Sequence, residues 1–153
     1  MSLAFKREPF SEFKKDWLGP LSTRHWEEIA KDRDRIKLSI DTEKYQQMDD
    51  AGILHILTAR ENGVLVGYHL SIIMVHPHYK DFGKMAMTDV YYLAPEYRNA
   101  KLGIQMLDEV ENSLREIGVK KAYTSCKADH DLTPLFFKMG WRLTDYCFTK
   151  LLD

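Results

Sequence analysis

Cysteine is scarce in this chain: 153 residues contain two, Cys126 and Cys147, set 21 positions apart and in no CxxC pair. That scarcity excludes a disulfide-stapled scaffold or a cysteine-built zinc site, and each thiol reads as a small buried hydrophobe in a reduced, cytoplasmic setting. Eight glycines and five prolines are too few for a repetitive or disordered chain. Apolar runs are short and broken by His, Ser or Gly, well below the ~20 residues of a membrane span. Charge of one sign is missing too: 22 Lys and Arg stand against 23 Asp and Glu, a net charge of −1. No global field therefore draws nucleic acid or an anionic membrane, and a phosphate-bearing partner needs a local site.

What is present fits one domain over residues 1–153, with residues 1–50 reading as a helical segment and 51–153 as a sheet with helices. Ser22 and Thr23 precede Trp26-Glu27-Glu28, and Asp41 precedes Thr42-Glu43-Lys44 as an N-cap for a short helix reaching Asp50. From Ile53 the period becomes that of strands. Asn62-Gly63 supplies the positive φ of a tight hairpin between Ile53–Ala59 and Val64–Val75, and a third strand, Met85–Leu93, stops before Pro95. Leu107, Val110, Leu114 and Ile117 then recur at helical spacing until Gly118. Ala122–Cys126 reads as a strand reached by a right-handed crossover, Asp131 caps a second helix ended by Gly140, and Trp141–Leu152 reads as a last strand. The fold class is α/β, a mostly antiparallel mixed sheet with helices on both faces.

Chemistry concentrates where the third strand meets the long helix, at Pro95-Glu96-Tyr97-Arg98-Asn99-Ala100-Lys101-Leu102-Gly103-Ile104. A strand that turns tightly into a helix aims free backbone N–H groups and the positive end of the helix dipole at one spot, which makes an anion site. Arg98 and Lys101 add charge to it.

The run Tyr91–Ile104 resembles the acetyl-CoA motif of the GNAT superfamily of N-acetyltransferases, in which Arg or Gln, two residues, Gly, one residue and Gly or Ala follow a strand ending at an apolar-x-Pro turn. Leu135-Phe136-Phe137-Lys138-Met139-Gly140-Trp141 is similar to a second segment of that family. The resemblance implies a parallel strand pair splayed around acetyl-CoA, the co-substrate, without a metal. It also implies that Arg98, Asn99, Ala100, Lys101, Leu102, Gly103 and Ile104 hold the pyrophosphate, and that Leu93 and Ala94 pair by main chain with the pantetheine arm. A backbone amide near Leu93 would polarise the thioester carbonyl. Phe136 and Lys138 join the cofactor set, with Lys127 a further candidate for the adenosine phosphate. Two positions depart from the pattern: Lys101 stands at the first loop glycine, and Phe136 stands where a tyrosine often protonates the leaving thiolate.

By the same resemblance Asp89 is a candidate general base, on one strand face with Tyr91 and Leu93; a hydrogen-bonded structural carboxylate is the other reading. Independently of it, His76 and His78 flank one residue and point the same way on an extended chain. That suits a metal pair, a proton shuttle, an acceptor-recognition patch or plain turn histidines. His25 and Glu28 lie one turn apart and read as an exposed helix pair. The expected activity is transfer of acetyl to a primary amine on a small molecule or peptide, with a silent CoA-binding relative as the alternative. A C-terminal strand or an exposed hairpin suits pairing in a homodimer.

Overall fold

Asn62 and Gly63, at φ 50° and 83°, make the left-handed two-residue turn that only such residues adopt cheaply. The turn joins β2 (Leu54–Glu61) to β3 (Val64–Val75) at the centre of the sheet. The computed structural model describes residues 2–153, and its single sheet has the order β1-β2-β3-β4-β5. β1 (Ala4–Arg7) and β4 (Lys84–Leu93) flank the hairpin antiparallel, and β5 (Val119–Tyr123) joins β4 in parallel. The mixed sheet expected from the sequence is therefore present, with its parallel pair at one edge.

Three helices precede β2: α1 (Phe10–Trp17), α2 (Pro20–Ile29) and α3 (Thr42–Asp50). α1 presents Phe10, Phe13 and Trp17 at helical spacing, and these rings pack with Tyr68 of β3 and Tyr45 of α3 in one aromatic core. Asp41 caps α3 as expected, its carboxylate accepting from the Lys44 N–H at 2.8 Å. On the other face α4 (Ala100–Glu116) buries Leu102, Met106, Leu107, Val110 and Leu114, and Gly118 follows it at φ 86°. α5 is short, Thr133–Lys138, and Gly140 at φ 83° ends it.

Several expectations from sequence need correction. The N-terminal segment is not only helical, because β1 pairs with β2 from Ala4↔Arg60 to Arg7↔Leu57. The α1 stripe was hidden in a short run with Lys and Glu between its aromatics. β5 begins at Val119 rather than Ala122, directly after Gly118, and its two lysines, Lys120 and Lys121, are exposed. Trp141–Leu152 forms no strand: the segment joins no ladder of the sheet among the described residues. Cys147 is exposed and Cys126 half-buried, so neither is a buried hydrophobe; Cys126 sulfur instead accepts the Leu132 N–H at 3.3 Å.

Candidate functional site

β4 and β5 pair at only four positions, from Lys84↔Val119 to Met87↔Tyr123, with a register shift between Lys84 and Met85, and then part. At the parting point Thr88 donates its hydroxyl to the Tyr123 carbonyl at 3.0 Å, ending the ladder with a side chain. Farther along, Tyr91 reaches across the gap and donates to the Ser125 carbonyl at 2.6 Å. The two strands thus enclose a wedge that opens toward the C-terminal end of β4. Strand ends that diverge at a switch between antiparallel and parallel pairing are where α/β sheets bind ligands.

A bulge shapes the β4 wall. Leu70 pairs with Val90 and Ser71 with Thr88, which leaves Asp89 as the extra residue. The bulge breaks strict alternation, so Asp89 does not share a face with Tyr91 as the sequence suggested. The Asp89 carboxylate accepts from Tyr45 of α3 at 2.5 Å, while the Tyr91 ring stacks on His69. Burial, reinforced by Asp89, raises the Tyr45 phenol above its ordinary range, so it is a fixed donor.

Past the bulge, main-chain accounting shows which groups are free. Ala94 N–H donates to Val66 O at 2.8 Å, and Ala94 O accepts from Tyr97 N–H at 2.9 Å. The Ala94 N–H is therefore spent within the fold, and its carbonyl keeps one acceptor position. Because antiparallel partners alternate, the main-chain groups of Leu93 and Tyr91 point to the opposite edge, which β5 has left. Leu93 O accepts from Arg98 Nε at 2.7 Å, and the Leu93 N–H remains aimed into the wedge.

Arg98 does more there than carry charge. Its guanidinium forms a two-pronged ion pair with Glu28 of α2, Nη2 at 3.0 Å from Oε2, and lies over the Tyr92 ring. Tyr92 donates to the same carboxylate at 2.7 Å. Hydrogen bonding from Arg98 is the main reason the Glu28 carboxyl sits below its ordinary range. Arg98 thus staples α2 to the end of β4. His25 and Glu28 are accordingly no exposed pair: His25 stacks on Tyr92 and its Nδ1 lies 2.6 Å from the Tyr68 hydroxyl. Burial lowers His25 to about 4, so the ring is neutral near pH 7.

The loop ends in the N-terminus of α4. Asn99 caps it, accepting the Leu102 N–H at 2.9 Å on its side chain, while its carbonyl takes the Gly103 N–H at 3.0 Å. Ile104 falls within the i→i−4 ladder, so Ala100 and Lys101 carry the N–H groups without an intrahelical acceptor. Beside them lies an open cavity of about 430 Å³ lined by Ser2, Leu3, Asn99, Lys101, Leu102 and Gln105. These donors and this space fit a pyrophosphate. Gly103 does not need to be glycine for space: a Cβ would meet only Leu135 Cδ2 at 3.6 Å. Lys138 and Lys127 are exposed. Phe136 is buried against Trp141, with ring centroids 6.0 Å apart, as a core residue of α5.

His76 and His78 are not brought into this site. They occupy the turn at the other end of β4, where His76 Nδ1 accepts the His78 N–H at 3.1 Å around a short 3-10 turn. The ten residues of β4 separate that turn from Leu93 by roughly 30 Å. Among the described residues no group of three His, Cys, Asp or Glu is placed to hold a metal ion. Tyr45 and Tyr91 are the site residues that sequence reasoning missed; their own spacing carried no signal, because their partners are distant in the chain.

The wedge, the bulge and the helix N-terminus define the class: an acyl-transferring enzyme. Residues 12–141 match the family model described as Acetyltransferase (GNAT) family, and the chain belongs to that family. Solved structures share the fold. A predicted acetyltransferase with acetyl-CoA from Clostridium acetobutylicum is 16% identical, with a TM-score of 0.72 over 98% of this chain and 96% of that one. Glucosamine-6-phosphate N-acetyltransferase from Arabidopsis thaliana is 13% identical, with a TM-score of 0.71 over 100% of both chains. Ribosomal-protein-alanine N-acetyltransferase from Brucella melitensis biovar Abortus 2308 is 12% identical, with a TM-score of 0.68 over 99% of both. No curated protein sequence matches the chain. No helix is long and apolar enough to cross a membrane.

Proposed function

We propose that the protein transfers the acetyl group of acetyl-CoA to a primary amine by direct attack, with Asp89 as general base. The observation that carries this reading is the coincidence, on one strand, of the parting from β5, the bulge at Asp89 and the inward Leu93 N–H, with α4 beginning just beyond. In this reading Asn99, Ala100 and Lys101 hold the pyrophosphate at the helix N-terminus. Leu93 N–H donates to the thioester carbonyl and stabilises the charge that develops on it. The amine approaches from the side of α2 and α3, where Asp89, held by Tyr45, accepts its proton directly or through a water. Structures of the same fold include a glucosamine-6-phosphate N-acetyltransferase and a ribosomal-protein-alanine N-acetyltransferase, which supports an amine acceptor on a small molecule or on a protein.

With Phe136 at the usual tyrosine position, α5 has no phenol to protonate the departing thiolate. A thiol of pKa about 8.5 leaves tolerably well without one. Calorimetric titration with acetyl-CoA, followed by thiol release over a panel of amines, tests the proposal. Binding is expected in the micromolar range, and Asp89→Asn is expected to lower kcat by about 10²- to 10⁴-fold with binding preserved. Absence of acetyl-CoA binding sinks the reading of the wedge. Tight binding without thiol release for any amine favours instead a silent CoA-binding relative, the reading Phe136 supports.

A further inference from the structure

Four tyrosine hydroxyls on and around β4 differ in what they donate to. Tyr45 donates to Asp89, Tyr92 to Glu28 at 2.7 Å, and Tyr97 to Glu61, so three of the four are committed to carboxylates. Tyr91 donates to a neutral group, the Ser125 carbonyl at 2.6 Å on the far wall of the wedge. Hydrogen bonds to an anion are roughly twice as strong as those between neutral groups. The first three phenols are therefore fixed where they are, and Tyr91 is the one that a new anion in the wedge can recruit.

Its placement suits one atom of the donor. Tyr91 stands two residues before Leu93, ~7 Å along the strand, and both turn their main-chain edge to the wedge. Its ring stacks on His69, with centroids 5.7 Å apart and planes 23° apart, and His69 in turn lines a cavity with Leu107 and Val110 of α4 and with Trp141. Tyr91 thus leaves the strand on the face covered by α4. α5 lies on that face too, with Leu135 beside Gly103, and there Phe136 offers no donor. A thioester whose carbonyl oxygen takes the Leu93 N–H has its sulfur two bonds from that oxygen, within the span of the Tyr91 side chain. Burial, reinforced by Cys126, raises the Tyr91 phenol above its ordinary range, so it holds its proton.

We propose that Tyr91 is the hydrogen-bond donor to the departing sulfur, exchanging the Ser125 carbonyl for the thiolate as the C–S bond breaks. This rests on the acetyl-CoA reading of the wedge. The amine nitrogen forms its bond to the acyl carbon, the C–S electron pair leaves on sulfur, the amine proton goes to Asp89, and Tyr91 keeps its own. Because the hydroxyl meets a neutral carbonyl before reaction and an anion after it, the interaction strengthens only as charge develops on sulfur, which raises kcat rather than lowering KM. The donor missing from α5 is supplied by β4. Once CoA leaves, the hydroxyl returns to Ser125 and ties the two walls together again.

Tyr91→Phe keeps the ring and its stack on His69 and removes only the hydroxyl. It is expected to lower kcat about 10- to 100-fold while the acetyl-CoA Kd changes less than about threefold by calorimetry. CoA alone gives a readout that needs no acceptor and that a strut between the walls would not move, the ultraviolet absorbance of its thiolate as pH is raised through about 8.5. The thiol of bound CoA is expected to ionise about tenfold more readily on the native chain than on Tyr91→Phe. Tyr91→Met gives the same reading should the phenylalanine chain misfold. An unchanged kcat, a loss confined to affinity, or equal thiol ionisation on both chains overturns the inference and leaves the wedge reading standing. Absence of CoA binding to the native chain overturns both.

Discussion

Two fully buried histidines give the fold an acid limit whose size can be worked out. His55 lies between the sheet and α4 with its Nε2 2.6 Å from Ser113 Oγ, and His69 sits between Ser71 and Thr88 at 3.4 Å from each hydroxyl. Burial lowers them to about 4 and about 3 from an ordinary 6.5, with Arg7 acting further on His55 and His55 on His69. A depressed histidine is neutral in the fold and takes up its proton on unfolding. Its contribution to stability is therefore complete above pH 6.5 and drains away as pH falls toward the folded value.

Between pH 7 and pH 5.5 each such unfolded imidazole gains about 1.2 kcal/mol of protonation free energy that the folded one does not, about 2.5 kcal/mol for these two and about 3.7 kcal/mol with His25, which burial also holds at about 4. Carboxylates contribute little in that window, because their unfolded values lie below it. Urea unfolding followed by tryptophan fluorescence at pH 7.0, 6.5, 6.0 and 5.5 is expected to show that loss as a midpoint lower by roughly 1–2 M. NMR of the imidazole rings is expected to show three that do not titrate above pH 5, those of His55, His69 and His25. A stability loss under about 1 kcal/mol, or a ring that protonates in the native state near pH 6, refutes the claim that these sites exclude charge.

Gly67 faces Leu93 across the β3–β4 pair, and a Cβ there would stand 2.8 Å from Leu93 Cδ1 and 2.9 Å from the Tyr92 carbonyl. Since a backbone carbonyl cannot swing away, Gly67→Ala is expected to cost about 1–3 kcal/mol in chemical unfolding and to weaken acetyl-CoA binding, and an unchanged midpoint counts against that packing. Glu28→Gln leaves Arg98 without its charged partner, so the staple on Leu93 loosens and acetyl-CoA affinity is expected to fall about 3- to 10-fold by calorimetry. Unaltered affinity means that the staple does not set the position of Leu93.

Where the elements rested on local chemistry they were legible: the Asn62-Gly63 turn, the Asp41 cap, the α4 stripe and the Arg98–Gly103 loop depend on residues close in sequence. The site was legible to the same extent. The helix N-terminus and the strand that feeds it followed from adjacent residues. The bulge that turns Asp89 toward Tyr45 did not follow, since one unpaired residue changes the side-chain parity without changing composition.

The sequence by itself thus determined that a mixed sheet would feed a strand into a capped helix bearing free N–H groups. Tertiary structure alone decided who meets whom around that helix. Glu28 and Arg98 stand seventy residues apart, Tyr45 and Asp89 forty-four, and His25 and Tyr68 forty-three. It also separated His76 and His78 from the cleft by the length of a strand, and left the C-terminal run outside the sheet. Such pairings depend on how strand register and helix packing close in three dimensions, and periodicity within a single element carries no record of them.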